Sequence, residues 1–305
     1  MTCRKCSEKP VIKLLNSSAV LCRSCFIKYF EKKVKRTISG YKLIEKNDHI
    51  VFAASGGKDS TTLIYLIKKI LNSRKDVKLT AVGIDEGIHD YRDKNLEFLK
   101  KFCKENKISL KIYSYKKEFG KSLDEILKKY KGIPCSICGV LRRYLLNKKA
   151  RELHATKLAT GHNLDDESQS IMMNYFRDNM KISARLGPKT GIVKNKGFIP
   201  RIKPLYFLTE KEVTAYAFLK GFMHEFTECP HSSEAYRGSV RDMLNEFEAK
   251  YPGTKHSIIN SFIEILPLLK EKFKKEDSEI KSCTICEEPC AQSICKTCQY
   301  IKNIF

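Results

Sequence analysis

The sequence predicts an α/β protein: a doubly wound, Rossmann-like parallel sheet flanked by a small zinc ribbon at each end. Three observations carry this. From about residue 49, short apolar runs alternate with helical patterns, as βαβ units of a parallel sheet do. The first unit turns on Ser55-Gly56-Gly57-Lys58-Asp59-Ser60 between a strand and a helix. Paired Cys-x2-Cys knuckles stand at both ends of the chain.

The bulk composition bounds the function. The chain has 305 residues, 42% of them hydrophobic, enough for one large domain or two moderate ones. No apolar run approaches the ~18 residues of a membrane span, so no membrane partner is expected. The opening MTCRKCSEKP is polar and does not read as a signal peptide. Thirteen cysteines without a secretion signal point to a reducing, cytoplasmic setting, where clustered thiols bind metal or do chemistry. Lys and Arg number 58 against 35 Asp and Glu, a net charge of +23. A large anionic partner follows, and nucleic acid fits through counterion release.

In chain order, residues 1–27 carry Cys3-x2-Cys6, fifteen residues, then Cys22-x2-Cys25. That is the spacing of a four-thiolate zinc site, structural because four protein ligands leave no open position. The segment is too short to bury a core, so metal binding supplies its folding energy. Residues 26–47 read as a basic amphipathic helix and a connector, with Lys32, Lys33, Lys35 and Arg36 available to RNA phosphates or to solvent.

Ile50 to Ala53 is a strand, and a helix runs from Ser60 to about Leu71. Gly56 and Gly57 admit a ligand close to the backbone, Ser60 is a candidate cap, and the helix N-terminus with Lys58 suits a phosphate. The loop is not a Walker A motif, because Lys58 is followed by Asp59 and no glycine stands five positions before Gly57. Further strands are expected at 77–84, 109–113 and 156–160, with helices at 91–106 and near 122–130. Cys103 falls on the packed side of its helix. Ligands of such sheets sit beyond the carboxyl ends of the strands. Asp85, the glycine turn and Gly161-His162-Asn163 share that edge.

Pro134-Cys135-Ser136-Ile137-Cys138 is the second informative stretch. Pro134 is expected to stop a helix, and the cysteines to open the next, 138–153, whose N-terminus favours thiolates. Two cysteines make an incomplete metal site, and Cys229 is the best third ligand. The alternatives are a redox dithiol, a persulfide, or plain buried thiols. Arg142 lies one turn after Cys138 on the same face, with Arg143 beside it. Both suit phosphate charge as ATP reacts, or RNA. At the start of the helix after Gly161, Asp165 is a candidate cap and Asp166 sits in the first turn. Both suit Mg²⁺ or acid–base work, and both are also ordinary partners of a helix dipole.

Residues 178–206 read as an irregular basic loop, including Lys181, Arg185, Lys194, Lys196 and Arg201, for RNA contact or gating. Helices follow at 209–220, 238–250 and 255–273, then a charged linker over 270–282. The tail repeats the opening: Cys283-x2-Cys286, eight residues, Cys295-x2-Cys298, with Cys290 inside as a possible competitor.

The Ser55–Ser60 run resembles the pyrophosphate loop of the N-type ATP pyrophosphatases. Together with PCSICG, TGHNLDDE, the Cys229 segment and both sets of knuckles, the whole chain resembles the TtuA-like tRNA uridine 2-thiolation enzymes, which include archaeal and eukaryotic wobble-uridine thiolases. The resemblance implies zinc ribbons at 1–27 and within 271–305, around a catalytic domain at 28–270, usually as a homodimer. It implies a [4Fe–4S] cluster on Cys135, Cys138 and Cys229. It implies an ATP and Mg²⁺ site of Ala53, Ser55, Gly56, Gly57, Lys58, Asp59, Ser60, Ile84, Arg142 and Gly161. Arg142 and Asp166 match positions tied to activity, although the family basic residue there is a lysine. Asp59 is assigned to Mg²⁺.

The reaction implied is two-step. Uridine O2 is adenylated with loss of pyrophosphate, then sulfur attacks C2 and AMP leaves. Sulfide on the cluster's open iron is preferred over a cysteine persulfide. The sulfur comes from a ubiquitin-like thiocarboxylate protein or from free sulfide. The exposed wobble uridine, position 34, is favoured over the T-loop uridine, position 54. Two other classes predict different behaviour. A lysidine-type or amidating adenylase needs no cysteine triad, and an RNA-binding zinc-ribbon protein would bind tRNA without releasing pyrophosphate.

Overall fold

The computed structural model describes residues 2–193, 197–223, 229–231, 236–277 and 281–304. Lys194, Lys196 and Glu228 lie outside the described residues, as does part of the 270–282 linker.

The chain opens with a hairpin, β1 (Ile12–Lys13) and β2 (Val20–Leu21), that brings the first two knuckles together. Helix α1 (Arg23–Gly40) starts at Cys22 and buries Phe26, Phe30, Val34 and Thr37, the i, i+4 stripe of an amphipathic helix. It runs unbroken through the division at 27/28. Then come β3 (His49–Ala53), α2 (Lys58–Ile70), β4 (Lys78–Asp85), α3 (Arg92–Glu105) and β5 (Ser109–Ser114). Two short helices, α4 (Tyr115–Phe119) and α5 (Leu123–Leu127), precede the long α6 (Pro134–Glu152). After β6 (Lys157–Ala159) lie α7 (Leu164–Tyr175), α8 (Met180–Ser183), β7 (Arg201–Ile202), α9 (Glu210–Leu219), α10 (Tyr236–Lys250), α11 (Thr254–Lys272) and α12 (Lys274–Asp277). The tail is a second hairpin, β8 (Lys281–Ser282) with β9 (Pro289–Cys290), and α13 (Lys296–Ile304).

The central sheet is parallel throughout, in the order β5-β4-β3-β6-β7. The chain therefore winds outward from β3 in both directions, and the switch point lies between β3 and β6. Strand β3 is buried on both faces, as parallel strands are. Ile50 and Phe52 pack with α1, α2, α3 and α9, whereas Val51 packs with Ile137, Leu141 and Leu145 of α6. A third cluster joins Leu164 and Ile171 of α7 to Ile259, Phe262 and Leu266 of α11.

Four expectations are corrected. Ser60 does not cap α2: the helix starts at Lys58 with Gly57 as its N-cap, and the Ser60 hydroxyl donates back to Gly57 O. Pro134 ends no helix, since α5 stops at Leu127. It opens α6 as the first residue, where a missing N–H costs nothing, so both cysteines lie inside the helix. Asp165 does not cap α7: Asn163 does, in a capping box with Asp166. The 178–206 segment is not wholly irregular, because Arg201–Ile202 adds the fifth strand and residues 180–183 form α8.

Candidate functional site

The nucleotide loop follows from β3. Gly56 has φ +87°, and a Cβ there would stand 2.3 Å from the Asn95 carbonyl oxygen, so only glycine fits. Ser55 Oγ accepts from Gly57 N–H at 3.2 Å and lies 3.1 Å from Ser60 Oγ, which closes the turn. No side chain caps α2, so its first N–H groups are free to face a ligand in the loop. Lys58 Nζ lies 3.0 Å from Asp59 Oδ2 and 3.1 Å from Glu210 Oε1. Ala53 ends β3, and Ile84 stands one residue before the end of β4.

The end of β6 meets this loop. A Cβ on Gly161 would lie 2.9 Å from the Asp59 carbonyl carbon, so the two segments touch backbone to backbone. Asn163 Nδ2 donates to Asp59 Oδ1 at 3.2 Å. Burial pushes the Asp166 carboxyl up to about 6, and the Asp59 charge adds to this against the pull of Arg237, 3.8 Å away. Asp165 turns inward instead: Lys255 Nζ donates to its Oδ1, and its Oδ2 accepts from Glu210 N–H at 2.7 Å. His162 Nδ1 lies 2.8 Å from Thr160 Oγ1. Burial, then Lys203, Arg237, Arg201 and Arg143, hold its imidazole down at about 3, hence neutral. Asp85 accepts from Gly87 N–H at 2.9 Å.

The cysteines sit across the cleft at the start of α6. Cys138 is buried and accepts from Arg142 Nη2 at 3.0 Å, while Tyr115 donates to its carbonyl at 2.9 Å. Cys135 is exposed, and its thiol donates to His231 O at 3.3 Å, which ties it to the Cys229 segment. Burial pushes the Cys229 thiol up, and Cys138 and Cys135 push the same way. The Cys135–His231 hydrogen bond brings the Cys135 and Cys229 segments together beside Cys138, and cysteine thiolates are the ligands that iron–sulfur clusters take. Arg142 is 46% exposed along its side chain yet walled by protein. Burial disfavours its charge, but Glu86 and Cys138 more than offset this and raise its pKa.

The knuckles close as the spacing requires. Cys3, Cys6, Cys22 and Cys25, and likewise Cys283, Cys286, Cys295 and Cys298, bring their sulfurs within 4.8 Å of one another. Sulfur pairs at 3.5 and 3.7 Å match the edge of a tetrahedron built on Zn–S bonds, about 3.8 Å. Cys290 stays outside, donating to Gln292 O at 2.7 Å. Cys103 is buried in α3, and burial raises its thiol to about 11.

Several residues of the cleft were not singled out from sequence: Arg92, Tyr115, Glu210 and Arg237. Glu86, which follows Asp85 at a strand end, is a fifth. Its signal was its place there, beside the glycine turn's neighbouring strand.

Comparison with known proteins gives the following. Residues 27–247 match the family model of the PP-loop domain. The chain is 38% identical to the tRNA-5-methyluridine(54) 2-sulfurtransferase of Pyrococcus horikoshii, over 98% of this chain and 93% of that one. It is 36% identical to the tRNA 2-thiolation protein NcsA of Haloferax volcanii, over 100% and 99%. Among solved structures it resembles the U34-tRNA thiolase NcsA of Methanococcus maripaludis, solved with its [4Fe–4S] cluster. The TM-score is 0.85 at 35% identity, covering 100% of this chain and 96% of that one.

Proposed function

Because the chain belongs to the PP-loop family and, within it, to the tRNA 2-thiolation enzymes, we propose that it is an ATP-dependent tRNA-uridine 2-sulfurtransferase of the cytoplasm. The observation that carries the reading is the link between the glycine loop and the cysteines. Arg92 joins Ser55 O to Glu86, Arg142 joins Glu86 to Cys138 Sγ, and Cys135 is bonded to His231 O, two residues from Cys229.

Ala53, Ser55, Gly56, Gly57, Lys58, Ser60, Ile84, Arg142 and Gly161 cradle ATP, with the α2 N-terminus and Lys58 on its phosphates. Asp59 holds Mg²⁺, which offsets phosphate charge. Asp166 takes the N3 proton of the target uridine as O2 attacks the α-phosphorus. The bond from that phosphorus to the bridging oxygen breaks, and pyrophosphate leaves. Sulfur at the hydrosulfide level then adds to C2, the C2–O2 bond breaks, AMP leaves with that oxygen, and the sulfur-borne proton moves to N3. Arg142 offsets negative charge on phosphate and sulfur in turn. Cys135, Cys138 and Cys229 would hold a [4Fe–4S] cluster, which would supply a site for the sulfur nucleophile. The basic surface binds tRNA. The zinc ribbons are structural, the assembly is a homodimer, and the sulfur comes from a thiocarboxylate carrier protein or free sulfide. The wobble uridine is the favoured target. Position 54 stays in view because a relative of 38% identity is named for that position, against 35% for the solved U34-tRNA thiolase.

The test is anaerobic reaction of the purified protein with unthiolated tRNA, ATP and sulfide, followed by nucleoside mass spectrometry and site mapping. One 2-thiouridine at position 34, with AMP and pyrophosphate, is expected. Iron at about four per chain, lost in Cys229→Ala, supports the cluster. Active protein without iron takes the cluster out of the chemistry and leaves hydrosulfide to attack C2 directly, and pyrophosphate release without thiolation overturns the assignment.

A further inference from the structure

Glu86 is where the nucleotide side and the sulfur side of the cleft join. Its side chain is 5% exposed at the end of β4. Its backbone carbonyl accepts from Leu123 N–H at 2.7 Å, which clamps it against α5. Arg92 Nε lies 2.9 Å from Oε2 and Arg142 Nε lies 2.9 Å from Oε1, two ion pairs on one carboxylate. Arg92 Nε donates to Ile84 O at 2.6 Å and its Nη1 to Ser55 O at 2.7 Å. Arg142 Nη2 donates the other way, to Cys138 Sγ at 3.0 Å. One chain of ion pairs and hydrogen bonds therefore runs from two carbonyls of the nucleotide site to a cysteine sulfur.

We propose that Glu86 and Arg92 are positioning residues that lock the Arg142 guanidinium onto the Cys138 sulfur and fix it relative to the nucleotide loop. A guanidinium is planar, with donors in a rigid fork. Once Nε is held on Glu86, Nη2 has one direction left, and that direction is the sulfur. A lysine would bring a single ammonium with no such fixed second donor. Two arginines on one carboxylate also leave the trio with net charge +1, directed at the place where sulfur carries negative charge. Arg92 is buried against Glu86, Ile84 O and Ser55 O, so it acts through Glu86 and not on substrate.

The inference rests on the reading of Cys138 as part of the sulfur site. Its test is a double-mutant cycle of Glu86→Gln and Arg142→Ala in the iron-loaded protein. The readouts are kcat for sulfur incorporation, the reduction potential of the cluster, and the melting temperature. Each single variant is expected to lose about 10- to 100-fold in kcat, the usual effect of residues that orient a ligand. The double variant is expected to lose no more than Arg142→Ala alone. The potential separates positioning from bulk electrostatics. Loosening a hydrogen bond to a ligating sulfur lowers it, whereas deleting the Glu86 charge by itself raises it. A fall in Glu86→Gln supports the proposal. A rise, or losses in kcat that add, overturns it. If Glu86→Gln does not fold, Arg142→Lys decides, since that side chain is half exposed: wild-type kcat and potential in this variant overturn the proposal. Wild-type protein that is active without iron defeats the cluster reading alone, and the kcat cycle still judges the inference.

Discussion

Lys58 and Glu210 form a 3.1 Å ion pair across the mouth of the nucleotide loop. Glu210 is the first residue of α9 and 52% exposed, so the pair contributes little to stability. It does occupy the lysine proposed to meet the phosphates of ATP. Burial pulls the Lys58 ammonium down, but Asp59 and Glu210 more than offset this and keep it firmly charged. Glu210→Gln is expected to leave the melting temperature near wild type and to tighten ATP binding. The gain should be at most about fivefold, the equivalent of an exposed pair worth ~0.2–1 kcal/mol. Calorimetric titration with ATP checks this, and weaker binding in the variant would mean that Glu210 helps hold the nucleotide.

The proposed proton transfer through Asp166 would tie catalysis to pH. Its carboxyl is pushed up to about 6 by burial, with Asp59 adding and Arg237 opposing. A carboxyl raised in the folded state is easier to protonate there than in the unfolded chain. It therefore costs stability above its folded pKa, and that cost disappears as pH falls to about 4. Thiolation by the wild type should rise through about pH 6 as Asp166 ionises. Asp166→Asn keeps an oxygen for the Asn163 N–H, so the cap survives. It should be poorly active at every pH, and more stable relative to wild type at pH 7.5 than at pH 4. A wild-type pH profile flat from 5 to 7 would remove Asp166 from the proton transfer.

Lys255 and Asp165 are a buried pair, 6% and 11% exposed. Lys255 also bonds Asn245 Oδ1, and Asp165 receives the Glu210 N–H, so the pair fixes α11 and α9 against α7. Lys255→Met leaves a buried carboxylate without its cation and should cost ~3–5 kcal/mol. Replacing both, as Lys255→Met with Asp165→Leu, should recover much of that. Urea denaturation of the three proteins measures it, and a single variant as stable as wild type would deny the pair a structural role.

The legible parts were those written in one stretch of chain. Ile50 to Ser60 spells strand, glycine turn and helix without interruption, and its place at the carboxyl edge of the sheet followed from the βα alternation. The two cysteine quartets followed from spacing alone. What escaped depends on residues far apart in sequence. Asp165 reads as a helix cap until Lys255, ninety positions on, reaches it. Arg201–Ile202 is too short to show a strand pattern, and it is one only because β6 and Lys189 pair with it. Glu86 looks like any acid at a strand end until Arg92 and Arg142 close on it. The start of α6 was misplaced for a local reason, since a proline that can end a helix can equally begin one.

The C-terminal quartet is expected to hold one of two zinc ions and thereby to dock the tail on α6. Tyr300 of α13 packs edge-on against Tyr130 at 5.7 Å, and Glu288 in the ribbon takes Arg151 and, at 3.3 Å, Asn147 Nδ2. Four thiolates fix those partners only while a cation holds them together, because a ribbon this small buries too little to fold alone. Cys298→Ser should therefore reduce zinc from two per chain to one. It should also speed hydrogen exchange in α13 and at Tyr130, while α2 is unchanged. Cys290 provides the internal control, as its sulfur is bonded to Gln292 O in the same loop. If zinc stays at two in Cys298→Ser but falls to one when Cys290→Ser is added, Cys290 is a spare ligand. Two zinc ions in the double variant would mean that the quartet is not the binding site.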